Sequence, residues 1–138
     1  MRLSSKGEYA LLSVLYLARH YGTGPIPTHV IARENLVPKK FLEQIVLTLK
    51  RGTYLKSRMG PDGGYELAKD PAMITMAEII RLIDGPLAAV GSVSKYFHSS
   101  TPIDRSPGLL EVFADIRDYT ADKLETTTFA DLVRTDAE

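Results

Sequence analysis

The side chains with the most usable chemistry lie between positions 39 and 64. Lys39, Lys40, Glu43, Gln44 and Thr48 fall at helical spacing, turned away from an apolar set of Phe41, Leu42, Ile45 and Leu49. Their groups match the edges of base pairs. An ammonium donates to guanine acceptors, a carboxylate accepts from cytosine N4, and a primary amide pairs with adenine through two hydrogen bonds. Lys56 and Arg58 precede the turn Met59-Gly60-Pro61-Asp62-Gly63-Gly64. There Gly60, Gly63 and Gly64 let the backbone approach a phosphate or a minor groove, with positive charge beside it. Lys6 adds a further phosphate contact. Other chemistry finds little support. The chain has no cysteine, which removes disulfides, thiolate metal sites and thiol nucleophiles. His20, His29 and His98 are scattered and lack metal-ligand spacing. No Gly-Lys-Ser/Thr follows the glycines, so they do not form a nucleotide-binding loop. An enzyme is not expected.

Such groups work only if the chain holds them rigidly. The spacing predicts a first helix from near Ser5, with Ser5 and Glu8 as a capping box and Leu11, Leu12, Val14, Leu15, Leu17 and Ala18 inside, ended by Gly22, Gly24 and Pro25. A short helix follows over 28–35, with Val30, Ile31 and Ala32 inward. Asn35-Leu36-Val37-Pro38 is a tight turn, and Pro38 suits the first turn of a helix from Lys39 to about Arg51. Strands are predicted at Tyr54 to Arg58 and Tyr65 to Ala68. Thr75 and Glu78 open a fourth helix as a capping box, and Gly85-Pro86 closes it. Residues 87–106 read as a loop. Ser106 and Pro107 start a long helix with the stripe Leu109, Val112, Phe113, Ile116, Thr120 and Leu124, and Thr128 caps a last short helix to about Val133. The fold class is mainly α with a small β-hairpin wing: a winged helix-turn-helix domain and a long C-terminal helix. In that order the second helix of the pair enters the major groove by its N-terminal end. An apolar stripe after a complete small domain asks for a partner.

The net charge of zero hides two unlike halves. Residues 1–70 carry 11 Lys and Arg against 6 Asp and Glu, a net of +5. Residues 71–138 carry 6 against 11, a net of −5. The basic half is the half that faces an anion, and the acidic half repels it. The N-terminus has no signal-peptide apolar core, and no apolar run reaches membrane-spanning length, so a cytoplasmic protein without membrane contact is expected.

The chain resembles the Rrf-two type of IscR-like bacterial winged helix-turn-helix regulators. The resemblance rests on residues 1–11 (MRLSSKGEYAL), 41–45 (FLEQI), the wing 60–68 (GPDGGYELA), 74–80 (ITMAEII) with 84–86 (DGP), and the tail 127–133 (TTFADLV). It spans nearly the whole chain in order. It implies a homodimeric transcription regulator that binds double-stranded DNA at a pseudo-palindromic operator, with the helix from Pro107 to Glu125 crossing its partner. Repression is the expected sign of regulation. The domain plan is then 1–86 for DNA binding, 87–106 as a candidate sensing loop, and 107–138 for dimerisation and the last helix.

Two departures from the family pattern matter. Many relatives hold an iron–sulfur cluster through three cysteines in the segment corresponding to 87–106. Here that segment offers Ser92, Ser94, His98, Ser99 and Ser100, which cannot replace thiolates at iron. Glu8 holds the place of an additional ligand in some relatives, but is read here as a helix cap. No cofactor is expected, and the signal sensed is left open between a small molecule, another protein and none. Tyr96, Phe97 and His98 are the candidate sensing residues, with ordinary buried packing as the alternative. At the wing, Met59 stands where the family has arginine, and Arg58 precedes it. A winged-helix module for protein contacts, without DNA binding, is the alternative function.

Overall fold

The computed structural model describes residues 1–138. The elements follow in the order α1 (Ser5–Arg19), α2 (Thr28–Asn35), α3 (Lys39–Arg51), β1 (Leu55–Arg58), β2 (Gly64–Leu67), α4 (Met76–Ile83), α5 (Pro107–Thr126) and α6 (Phe129–Ala137). This is the winged helix-turn-helix order. The 87–106 segment is not featureless, for it contains short 3-10 turns at Gly91–Val93 and Pro102–Arg105.

The core is built around α1. Its Ala10, Val14 and Leu17 recur every three to four residues and are buried against Ile31 of α2 and Leu42, Ile45, Val46 and Leu49 of α3. Leu55 and Leu67, opposite each other in the antiparallel hairpin, close the floor. The hairpin is thus rooted in the core at its base, while Arg58 pairs with Gly64 at its far end. Ile26 bridges Tyr65 through two backbone hydrogen bonds of 2.9 Å, a one-residue third strand that ties the α1–α2 connection to the wing.

Three local expectations need correction. The N-cap of α1 is Ser4, not Ser5, and the Ser5–Glu8 capping box does not form. The Ser4 hydroxyl accepts from the Gly7 N–H at 2.9 Å, and Glu8 meets Ser4 only through its own backbone N–H. The side chain of Asp84, 80 residues away, fixes Ser4 in that role. Pro38 is the N-cap of α3 rather than a residue of its first turn. Phe41 lies at the rim, more than a third exposed, with its ring 5.4 Å from that of Tyr9, and Val46 takes the inner place.

The last helix returns to the core. Phe129 is fully buried there, and its N–H donates to the Ile74 carbonyl at 3.0 Å. Thr128 caps α6 with Asp131 as the reciprocal partner, and α6 continues to Ala137. A second small cluster of Ala77, Ile80 and Leu87 gathers Leu3, Leu11, Ala121 and Leu124, so α1, α4 and α5 meet at one junction.

Candidate nucleic-acid interface

Four residues of α3, namely Leu42, Ile45, Val46 and Leu49, are buried, which fixes the helix about its axis. Lys39, Lys40, Glu43 and Gln44 are left exposed on the opposite face. Thr48 is half-buried and its hydroxyl donates to the Gln44 carbonyl at 3.0 Å. The first turn of α3 has no side-chain cap, no acid and two lysines. Cations at a helix N-terminus oppose the helix dipole, whereas an anion there is favoured. This end of α3 therefore favours an anion over a further cation.

The Tyr9–Phe41 ring pair joins α1 to the start of α3. Lys6 lies one turn before Tyr9, and Lys39 and Lys40 immediately precede Phe41, so one end of the molecule collects these cations. The N-terminus of α1 itself is no anion site. The Asp84 carboxylate already sits on it, accepting from the Ser4 N–H at 2.9 Å.

At the wing, Lys56 is exposed and 3.5 Å from Glu66, a weak surface pair. Arg58 is exposed and forms no ion pair within the chain. Lys50 donates to the Ser57 hydroxyl at 2.7 Å and so braces the wing against α3, a contact that only the folded pairing reveals. Met59 is 92% exposed at the tip. The three glycines have different roles. Gly60 adopts φ +102° in open space. A Cβ on Gly63 would lie 2.1 Å from the Arg58 carbonyl oxygen, and one on Gly64 2.1 Å from that of Ile26. Gly63 and Gly64 thus serve close backbone packing inside the wing, and only Gly60 is free for an outside ligand.

The candidate sensing residues lie apart from this surface. Tyr96, Phe97 and His98 are exposed rather than packed. Tyr96 lies under the Arg81 guanidinium, 4.7 Å from ring centre to charge. Tyr96 and Phe97, but not His98, border a hollow of about 10 Å³ with Arg81, Ser94 and Arg117, room for a single water. Both of its arginines are already engaged. Arg81 pairs with Glu125 at 2.6 Å, and Arg117 binds Asp118 at 2.7 Å and the Val93 carbonyl at 2.9 Å. The loop is held by its own hydroxyls, through Ser92 to Thr101 and Ser100 to Asp104. Bonds from Ser92 and Ser100 hold the Asp104 carboxyl below the usual range. This donor set does not fit an iron–sulfur cluster. It contains no thiolate, and nowhere do three His, Asp or Glu side chains converge.

Of the α5 stripe, Leu109, Val112 and Ile116 are each about half exposed, and Tyr119 is 77% exposed. Tyr119 belongs with them by spacing, although the sequence pattern did not single it out. Phe113, Thr120 and Leu124 are half-buried, with Leu124 turned into the junction cluster. No helix is long and apolar enough to cross a membrane.

Residues 3–135 match the family model Rrf2, described as an iron-dependent transcriptional regulator. The chain is 35% identical over 139 residues to the HTH-type transcriptional regulator CymR of Bacillus subtilis, covering all of this chain and 94% of that one. The structure of CymR, described as the global cysteine regulator of B. subtilis, superposes with a TM-score of 0.85 over 98% of each chain at 33% identity. IscR of T. potens superposes with a TM-score of 0.75 at 28% identity, over 100% of this chain and 89% of that one.

Proposed function

The chain belongs to the Rrf2 family of DNA-binding transcriptional regulators, which are not enzymes, and from that premise we propose that it is a homodimeric repressor without an iron–sulfur cluster. The observation that carries this reading is α3. Its inward face is fully committed to the core, and its outer face presents uncapped backbone, Lys39, Lys40, Glu43, Gln44 and Thr48. Lys39 and Lys40 contact guanine edges or phosphate, Glu43 accepts from cytosine, and Gln44 reads adenine. Thr48, Lys6, Lys56, Arg58 and Gly60 fix the duplex through its backbone, with Gly63 and Gly64 shaping the wing. Residues 1–86 form the DNA-binding part, 87–106 the sensing segment around Tyr96, Phe97 and His98, and 107–138 the dimerisation part.

Pairing through the exposed face of α5 supplies the two-fold axis. Leu109, Val112 and Ile116 are its apolar contacts, with Phe113, Thr120 and Leu124 behind them. Two copies of α3 then read a pseudo-palindrome with half-sites about one helical turn, or a multiple of it, apart. A dimer seated on such an operator in a promoter excludes polymerase, which favours repression. The absence of thiolates supports regulation by a small molecule or a protein rather than by a cluster.

Selection of bound fragments from genomic DNA, followed by footprinting, tests this. A two-fold protected site that overlaps promoters is the expected result, with transcription rising when the protein is removed. Recovery of no preferred sequence, or an unsymmetrical one bound by a monomer, would count against it.

A further inference from the structure

We propose that Asp84 is a positioning residue for DNA binding: through Ser4 it fixes the N-terminal end of α1 and, with it, Lys6. The inference rests on the reading of Lys6 as a phosphate contact. Asp84 is the C-cap residue of α4. Its carboxylate accepts from the Ser4 N–H at 2.9 Å through one oxygen and from the Ser4 hydroxyl through the other. The same hydroxyl accepts from the Gly7 N–H, so a single serine joins α4 to the first turn of α1. The fit is close. A Cβ on Gly7 would lie 2.3 Å from Asp84 Oδ2, so only glycine leaves room for the carboxylate.

Lys6 sits inside this clasp, between Ser4 and Gly7. A lysine in the first turn of a helix opposes the helix dipole. A fixed carboxylate at this helix end, bound to the N-cap residue Ser4, offsets that repulsion and occupies the place where a phosphate would otherwise approach. Phosphate attraction at α1 is thereby left to the Lys6 side chain. The clasp also borders the junction cluster of Ala77, Ile80 and Leu87, against which Leu3 packs, as do Ala121 and Leu124 of α5. The N-terminal end of α1 is thus held against α4, on the same small cluster that receives α5.

The sign of the effect separates this role from simple electrostatics. Removing a negative charge from a DNA-binding protein tightens binding to a polyanion. Loss of the clasp frees Lys6 and weakens it. The test measures affinity for a duplex recovered from genomic selection, across salt, for the full-length wild type and the variants Asp84→Asn, Ser4→Ala, Lys6→Ala and Lys6→Ala/Asp84→Asn. Circular dichroism and melting check that each folds. Ser4→Ala deletes one hydroxyl at an exposed position, so it carries the test if Asp84→Asn does not fold.

Loss of one phosphate contact lowers the salt slope by about one. The drop in affinity between about 50 and 200 mM salt then shrinks by about three- to fourfold. Lys6→Ala, Asp84→Asn and Ser4→Ala should each show this change together with weaker binding at low salt. The double variant should have the slope of Lys6→Ala alone. Tighter binding by Asp84→Asn, or slopes that add in the double variant, would overturn the proposal. If Lys6→Ala lowers the slope while Asp84→Asn and Ser4→Ala leave it unchanged, only the positioning role fails. If Lys6→Ala itself leaves it unchanged, the reading of Lys6 fails and the positioning role with it.

Discussion

Glu43 is the most discriminating of the exposed groups on α3. It is an acid on the proposed DNA-reading surface, and no ion pair within the chain neutralises it. Such a group weakens binding to DNA in general and is favourable only opposite a base-edge donor. Glu43→Ala should therefore lose discrimination at one base-pair position by about 1–3 kcal/mol, while binding to unrelated sequences becomes tighter. Affinities for operator variants changed one base pair at a time give the answer, and unchanged discrimination would remove Glu43 from base reading. The exposed face of α3 was legible in the sequence because side-chain type and helical spacing together determine which side of the helix stays wet. The role of Asp84 was not, because its partner lies 80 residues away and no local pattern marks it. Gly63 and Gly64 look like ligand glycines in sequence, and only the packed backbone shows what they avoid.

At the scale of elements, caps and turns decide where helices begin and end. Leu36 closes α2 with φ +52° in the left-handed region, although its side chain is 87% exposed and packs on little. That conformation strains a branched residue, and asparagine or glycine suits it better. Leu36→Asn should stabilise the fold by about 0.5–1 kcal/mol, read as a higher midpoint in urea. At α6, the backbone and then the side chain of Thr128 hold the Asp131 carboxyl below its usual range. A lowered folded-state value means that the contribution is complete above about pH 4, the unfolded value. It is lost as pH falls through the lower folded value. Asp131→Asn, which removes the titrating carboxyl, should flatten the acid side of the stability–pH curve, and an unchanged curve would rule out this cap as its source. The Thr128 and Thr75 caps were readable because each is followed by an acid three residues on. At α1 the same pattern pointed to Ser5, but a distant carboxylate chose Ser4 instead.

The whole molecule divides by charge more clearly than by packing. The proposed DNA face lies in the basic half, whereas α5 carries Glu111, Asp115, Asp118, Asp122 and Glu125. Between these acids runs the half-exposed row of Leu109, Val112 and Ile116. Ile116→Asp should leave a folded monomer in sedimentation. Its operator affinity should fall by about 10²–10⁴-fold, because the half-sites no longer act together. A dimer that survives this change would place the interface elsewhere. The order of the elements was legible because the periods are strong and the punctuation is regular. The return of α6 was not, since a single phenylalanine in a short helix does not announce which core it enters. That return bears on synthesis. The ribosome delivers α3 early and Phe129 late, yet the core that α1 shares with α3 lacks its largest fully buried side chain until Phe129 arrives. A nascent chain therefore carries α3 before the core beneath the winged helix is complete, and a chain truncated before α6 should melt at a lower temperature than the whole one.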